Sequence, residues 1–157
     1  MSKKILIPID FNVESLNTLR RALDGQGDNQ VEVVLLYAEY PPDSITELLF
    51  YSSTKRCKQL ITPNFQEALN ILKNRYERNI ISISLEIFHG YGRPAFENFV
   101  EGHRIDSIYI PKNYVLKPLK NGFNPIPIIK KTKHQYHEID WETNQDDVYH
   151  QLSCLFN

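Results

Sequence analysis

The sequence predicts an α/β fold: a three-layer arrangement in which five parallel strands form one open sheet, in the order 3-2-1-4-5, with helices on both faces. Three observations carry that expectation. Ile5 to Ile9 holds four aliphatic residues in five positions, and Val31 to Ala38, V-E-V-V-L-L-Y-A, is nearly as unbroken. Such runs suit strands buried on both faces at the centre of a parallel sheet. A third stretch, Ile81 to Phe88, alternates aliphatic residues with Ser82, Ser84 and Glu86, as expected of a strand nearer an edge with one wetter face. Segments with helical spacing separate these strands, and a β-α-β order implies parallel pairing through right-handed crossovers.

The first strand runs into Pro8, which lacks an N–H, and then Asp10, where the strand must stop and turn. The carboxyl ends of central strands form the ligand crevice of open α/β sheets, so Asp10 is expected at its rim. A helix follows at once, with Asn12 as its cap and Leu16, Leu19 and Leu23 on one face. After the second strand, Tyr40-Pro41-Pro42-Asp43 breaks the chain, and Asp43 can cap a short helix bearing Ile45, Leu48 and Leu49. Ser52 to Leu60 is polar and basic and reads as a loop or helix end. Thr62-Pro63 starts a helix whose Phe65, Leu69, Leu72 and Tyr76 recur at helical spacing. Beyond the third strand, Gly90 to Pro94 turns into a helix with Phe96, Phe99 and Val100 inward, and Gly102 can end it. Asp106 to Pro111 is expected as the fourth strand. Pro125 to Lys130 is expected as the fifth, at an edge because of Pro127.

The bulk numbers exclude several classes. A chain of 157 residues suits one domain with a proper core, burying roughly two-thirds of its surface. A net charge of −1 argues against a dedicated nucleic-acid binder. No apolar run approaches the roughly 20 residues needed to cross a bilayer, and Asp10 cuts short the only N-terminal stretch that could open a signal peptide. Two cysteines, Cys57 and Cys154, fit no disulfide framework. A cytoplasmic protein is the expectation.

Read in order, K-K-I-L-I-P-I-D-F-N-V-E-S-L-N-T-L, V-V-L-L-Y-A, G-Y-G-R-P-A-F-E-N-F-V, R-I-D-S-I-Y-I and N-P-I-P-I-I-K resemble the universal stress protein family over residues 3 to 130. The resemblance implies an adenine nucleotide alpha hydrolase-like fold over residues 1–130, with 131–157 as an extension. Nucleotide-binding members carry G-x-x-G-x9-G-[ST] after the fourth strand, where glycines let backbone N–H groups approach phosphates. Here the two first glycine positions fall on Pro111 and Tyr114. The family's fourth helix should be missing or shortened, because only V-L-K-P-L-K-N-G-F-N, interrupted by Pro118, fills its place.

The remaining base-and-ribose half of the pocket is expected at Pro8, Ile9, Asp10, Ala38 and Ile110, with Lys112 as a point charge for a phosphate. Asp10 either accepts from a ribose or ring donor or merely caps the first helix, the aliphatic residues then being core. The expected function is a non-catalytic regulatory or interaction module, homodimeric through the fifth strand and the tail, with ATP binding lost or much weakened and no cofactor expected. An unidentified protein partner is allowed, but neither nucleic acid nor membrane. The alternative is a binder of ATP or AMP with slow or no hydrolysis, its phosphates held by Lys112 or Arg93. No nucleophile-elbow, H-E-x-x-H or paired-carboxylate motif is present. His89, Gly90, Gly92 and Arg93 form either an anion-binding turn or a plain strand-to-helix turn.

The tail offers a loosely alternating half, K-T-K-H-Q-Y-H-E-I-D-W-E, which can add a strand or wrap a neighbouring subunit. Its second half spaces Val148, Leu152, Leu155 and Phe156 as an amphipathic helix. His134, His137, His150 and Cys154 have the intervals of a small zinc module. Against that, the first pair is His-His rather than Cys-Cys, and Asp147 falls where an apolar residue belongs.

Overall fold

The aliphatic run at the N-terminus places β1 (Lys3–Pro8) at the centre of a five-stranded parallel sheet in a computed structural model that describes residues 2–141. β2 (Val31–Ala38) and β3 (Ile80–Phe88) extend it on one side, β4 (Ser107–Pro111) and β5 (Tyr136–Ile139) on the other, giving the order β3-β2-β1-β4-β5. Ile5 stands opposite Val33 and Ile7 opposite Leu35, while Leu6 pairs with Ile108. Alternation along β1 then sends Ile5 and Ile7 to one face and Leu6 to the other.

The first face is covered by α1 (Leu16–Asp24), entered through a 3-10 turn at Val13–Ser15, by α3 (Ser53–Leu60) and by α4 (Pro63–Arg75). Leu16 and Leu19 of α1 meet Phe65, Leu69 and Leu72 of α4 there. The opposite face is covered by α5 (Gly92–Gly102), whose Phe96 and Val100 pack with Leu36 and Ile108. Each such side chain contributes about 1.5–3 kcal/mol by leaving water. The short helix α2 (Ile45–Leu49) joins neither face and buries no residue.

Pro125–Lys130, expected as the fifth strand, is instead the start of α6 (Ile126–Lys131). The Asn124 side chain accepts from the Ile126 N–H at 3.0 Å, and Pro127 falls in the first turn, where a missing donor costs nothing. Ile126 and Ile129, one turn apart, are both buried. The helix between β4 and β5 is thus six residues long. The fifth strand comes from the alternating stretch further on, where Tyr109 stands opposite His137. β5 therefore lies within 131–157, the stretch expected as an extension.

Three local expectations are also corrected. Ser52 to Leu60, read as a loop or helix end, forms a full helix, α3, because the Ser52 hydroxyl caps it and Cys57 and Leu60 share its buried side. Too few apolar residues signalled that helix. Ser44 rather than Asp43 caps α2, accepting from the Glu47 N–H at 3.2 Å. Asn12 makes no side-chain cap; the Ser15 hydroxyl instead donates to the Asn12 carbonyl at 2.8 Å. The amphipathic pattern from Val148 to Phe156 lies outside the described residues. Among those described, no helix is long and apolar enough to cross a membrane.

The helical assignment of 126–131 has a mutational signature. Ile129→Ala is expected to cost about 2–5 kcal/mol, whereas Pro127→Ala at an exposed first-turn position stays within about 0.5 kcal/mol. Urea denaturation midpoints check both.

Candidate functional site

The crevice at the carboxyl ends of the central strands is where this fold places ligands, and its geometry starts at one unusual residue. Phe11 has φ 63, a left-handed conformation that costs about 1–2 kcal/mol for a residue with a Cβ. Its ring is buried against Tyr37 at 4.9 Å and Phe65 at 5.3 Å, which offsets the strain. Turning Phe11 into the core leaves Asp10 at the crevice. That carboxylate is 1% exposed. Its Oδ1 accepts from the Asn12 N–H at 2.9 Å, and its Oδ2 from the Tyr114 hydroxyl at 2.5 Å and the Lys117 N–H at 2.9 Å.

Both distal donors belong to the segment between β4 and α6, which crosses the carboxyl ends of β1 and β2 as a strap. Leu119 N–H donates to the Tyr37 hydroxyl at 3.0 Å and Phe123 N–H to the Ala38 carbonyl at 3.0 Å. Tyr40 N–H donates to the Asn121 carbonyl at 2.8 Å, and Glu39 forms an antiparallel bridge with Gly122. Leu116, within the strap, turns inward and is buried with the α5-side core. Gly122 is needed for this approach, because a Cβ there would lie 2.3 Å from the Tyr37 hydroxyl oxygen. Asn121, at φ 69, makes the preceding turn.

Trp141 closes the rim. Its ring stacks on Tyr114 at 4.5 Å and 23°, and its indole N–H donates to the Thr18 hydroxyl at 3.1 Å. Burial, together with the hydrogen bond to Asp10, raises the Tyr114 phenol well above its ordinary pKa. It is a firm proton donor.

A second polar cluster holds the far side. Glu39, buried at the end of β2, takes a forked contact from Arg56 of α3, with Nε 3.0 Å from both oxygens and Nη2 2.5 Å from Oε2. That bond raises the Arg56 pKa, and it ties α3 to the crevice rim. His89 Nε2 lies 3.6 Å from the same carboxylate, and the Tyr51 ring meets His89 edge-on at 4.7 Å. Tyr51 is pushed up to about 12, by burial first and the Glu39 charge second.

Of the residues expected in the pocket, Pro8, Ile9, Asp10, Ala38 and Ile110 are all buried at or beside the strand ends. Lys112 is not with them: its side chain is exposed, and its N–H donates to the Ile139 carbonyl at 2.9 Å, continuing the β4–β5 ladder. Arg93 pairs with Glu97 at 3.4 Å. The turn at Gly90 is packed too tightly for a side chain, a Cβ there falling 2.5 Å from the Phe88 ring. His137 stacks on Tyr109 at 5.1 Å. His150 and Cys154 lie outside the described residues, among which no group of three metal-ligating side chains occurs. Tyr37 and Trp141 escaped notice as strap anchors. The available signal was a phenol inside a buried aliphatic strand, which must find a partner for its hydroxyl.

The described geometry defines an open parallel-sheet protein of the adenine nucleotide alpha hydrolase-like class, with helices on both sides and the crevice crossed by its own chain. The family model described as universal stress protein family matches residues 1–113, and the chain belongs to that family. Solved structures agree on the fold. Universal stress protein UspA from Lactobacillus plantarum superposes with a TM-score of 0.54 at 12% identity, over 87% of this chain and 97% of that one. A crystallised hypothetical protein, PH0823, gives 0.53 at 20% identity, over 89% and 96%. The hypothetical protein MJ0577 gives 0.52 at 19% identity, over 89% and 96%. No curated protein matches by sequence.

Two outcomes follow from this geometry. Tyr114→Phe removes a hydrogen bond to a buried carboxylate and should cost about 1.5–3 kcal/mol in denaturant unfolding. Tyr51 and Tyr76 are both raised from 10.0 to about 12, so their folded forms hold the proton more tightly than the unfolded chain does. Their contribution is complete below the unfolded pKa near 10 and is lost as pH rises from there through about 12. Thermal unfolding across that window should show a falling Tm, less steeply in Tyr76→Phe.

Proposed function

We propose that this chain is a non-catalytic member of the universal stress protein family, a homodimeric regulatory or interaction module whose nucleotide crevice is closed by its own strap. The carrying observation is the state of Asp10: the carboxylate left to meet a ribose or ring donor is already bonded to Tyr114 and Lys117. The residues also fail to fit a triphosphate. Pro111 has no N–H to offer, and the Tyr114 ring lies under Trp141 where backbone approach would be needed. Lys112, exposed to solvent, supplies a point charge but no cradle. On this reading the fold serves as a rigid platform for a stress-responsive contact in the cytoplasm.

Calorimetric titration with ATP and with AMP tests the closed crevice. No heat is expected for either nucleotide up to millimolar concentration. Micromolar binding would overturn the reading in favour of a nucleotide-binding family member whose strap is displaced by ligand.

A further inference from the structure

The two edges of the sheet are finished differently. β5 has four residues, and its His137 and Glu138 are exposed polar groups of the kind that discourage a further strand. β3, at the other edge, runs for nine residues, I-I-S-I-S-L-E-I-F, without a proline or a lysine. Its one irregularity, opposite Val31 and Glu32 of β2, lies at its start, so Ser82 to Phe88 keep an unbroken register with β2. A long, regular edge that lacks these protections is a template for another extended chain.

Hydrogen-bond direction shows what this edge offers. The Glu39 N–H donates to the Phe88 carbonyl at 3.0 Å, which turns the backbone groups of Phe88 toward β2. Those groups alternate in direction from one strand residue to the next. Ser84 and Glu86 therefore face β2 as Phe88 does, while Ile83, Leu85 and Ile87 point their N–H and C=O groups outward. Among the described residues, the one hydrogen bond made to that outward set comes from the Cys57 thiol, 3.9 Å from the Leu85 carbonyl oxygen. The three outward N–H groups have no partner there.

Side chains decide which chain fits. Ile83, Leu85 and Ile87 lean on the core shared with α1 and α4, so an added strand would continue that face with apolar residues. On the opposite face Glu86 stands beside Leu36, and Ser82 beside Glu32. Neither Glu32 nor Glu86 takes part in an ion pair among the described residues. β3 itself carries no cation. Its counterpart in a second copy would therefore bring more acid to an acidic face, whereas a lysine or arginine would complement it.

We infer that the free edge of β3 is a docking site for an extended peptide of another protein, added to the sheet as an outer strand. Its apolar residues would lie beside Ile83, Leu85 and Ile87, alternating with polar ones that set a lysine or arginine beside Glu86. The inference rests on the interaction-module reading above and names its contact surface and partner chemistry; it does not depend on whether nucleotide binds.

Residue-resolved hydrogen exchange, together with fluorescence anisotropy of a labelled peptide, tests it. The probe is acetyl-Lys-Val-Thr-Val-Lys-Val-Thr-amide. In the free protein the amides of Ser84 and Glu86 should already exchange slowly, and those of Ile83, Leu85 and Ile87 fast. Saturating peptide should slow the outward set by about tenfold. Methylating every backbone nitrogen of the peptide, or replacing its lysines by glutamate, should abolish binding. Glu86→Lys should shift the preference to the glutamate peptide. The proposal is overturned by no binding up to millimolar peptide, by protection elsewhere on the protein, or by equal affinity for the lysine and glutamate peptides. Outward amides already slow without peptide would overturn it too, because the edge would then be covered by a second copy or by this chain itself. None of these failures touches the closed crevice, which the nucleotide titration decides separately.

Discussion

Everything at the functional end of this molecule depends on the need of one buried carboxylate for donors. Asp10 sits where β1 stops, and a carboxylate out of water must be hydrogen-bonded or be strongly unfavourable. In an open crevice, solvent or a ligand could meet that need. Here the need is met by Tyr114 and the Lys117 amide, so the carboxylate at the crevice is the point to which the strap is tied. The remaining strap contacts, from Tyr37, Ala38 and Glu39, distribute the attachment along the end of β2.

Two features of the sequence make this closure sterically possible. Phe11 adopts an unfavourable backbone conformation that is offset by two aromatic neighbours, and this frees Asp10 to face the strap rather than the core. Gly122 lets the returning chain approach the Tyr37 hydroxyl more closely than any side chain would permit. The shortness of α6 belongs to the same economy of chain. Residues that would lengthen a packing helix are spent on the crossing, and Pro118 within that stretch keeps it extended.

The fold was largely legible because burial on two faces leaves a direct trace in composition. β1, β2 and β3 were recognisable from their aliphatic or alternating patterns, and the strand order followed from the crossovers. What misled was Pro125 to Lys130, whose P-I-P-I-I pattern alternates like a strand. Proline at the second helical position is compatible with a helix start, and the Asn124 cap that tips the balance is visible only once the chain is folded. The site was half legible. Pro111 and Tyr114 stand in the sequence where the family's nucleotide motif has its first two glycines, and the structure places Tyr114 on Asp10. The strap was not legible, since it depends on Tyr37 and Trp141 meeting partners more than eighty residues away in the chain.

Trp141 is the single tryptophan of this chain, and it rests on the very tyrosine that holds the strap to Asp10. Its indole is therefore a built-in optical gauge of the crevice. While the strap is seated, the ring is sheltered and bonded to Thr18; lifting the strap uncovers it to solvent, and its emission reddens. Ligand-driven or mutational opening can be followed by fluorescence on the unlabelled protein, without a probe having to be attached.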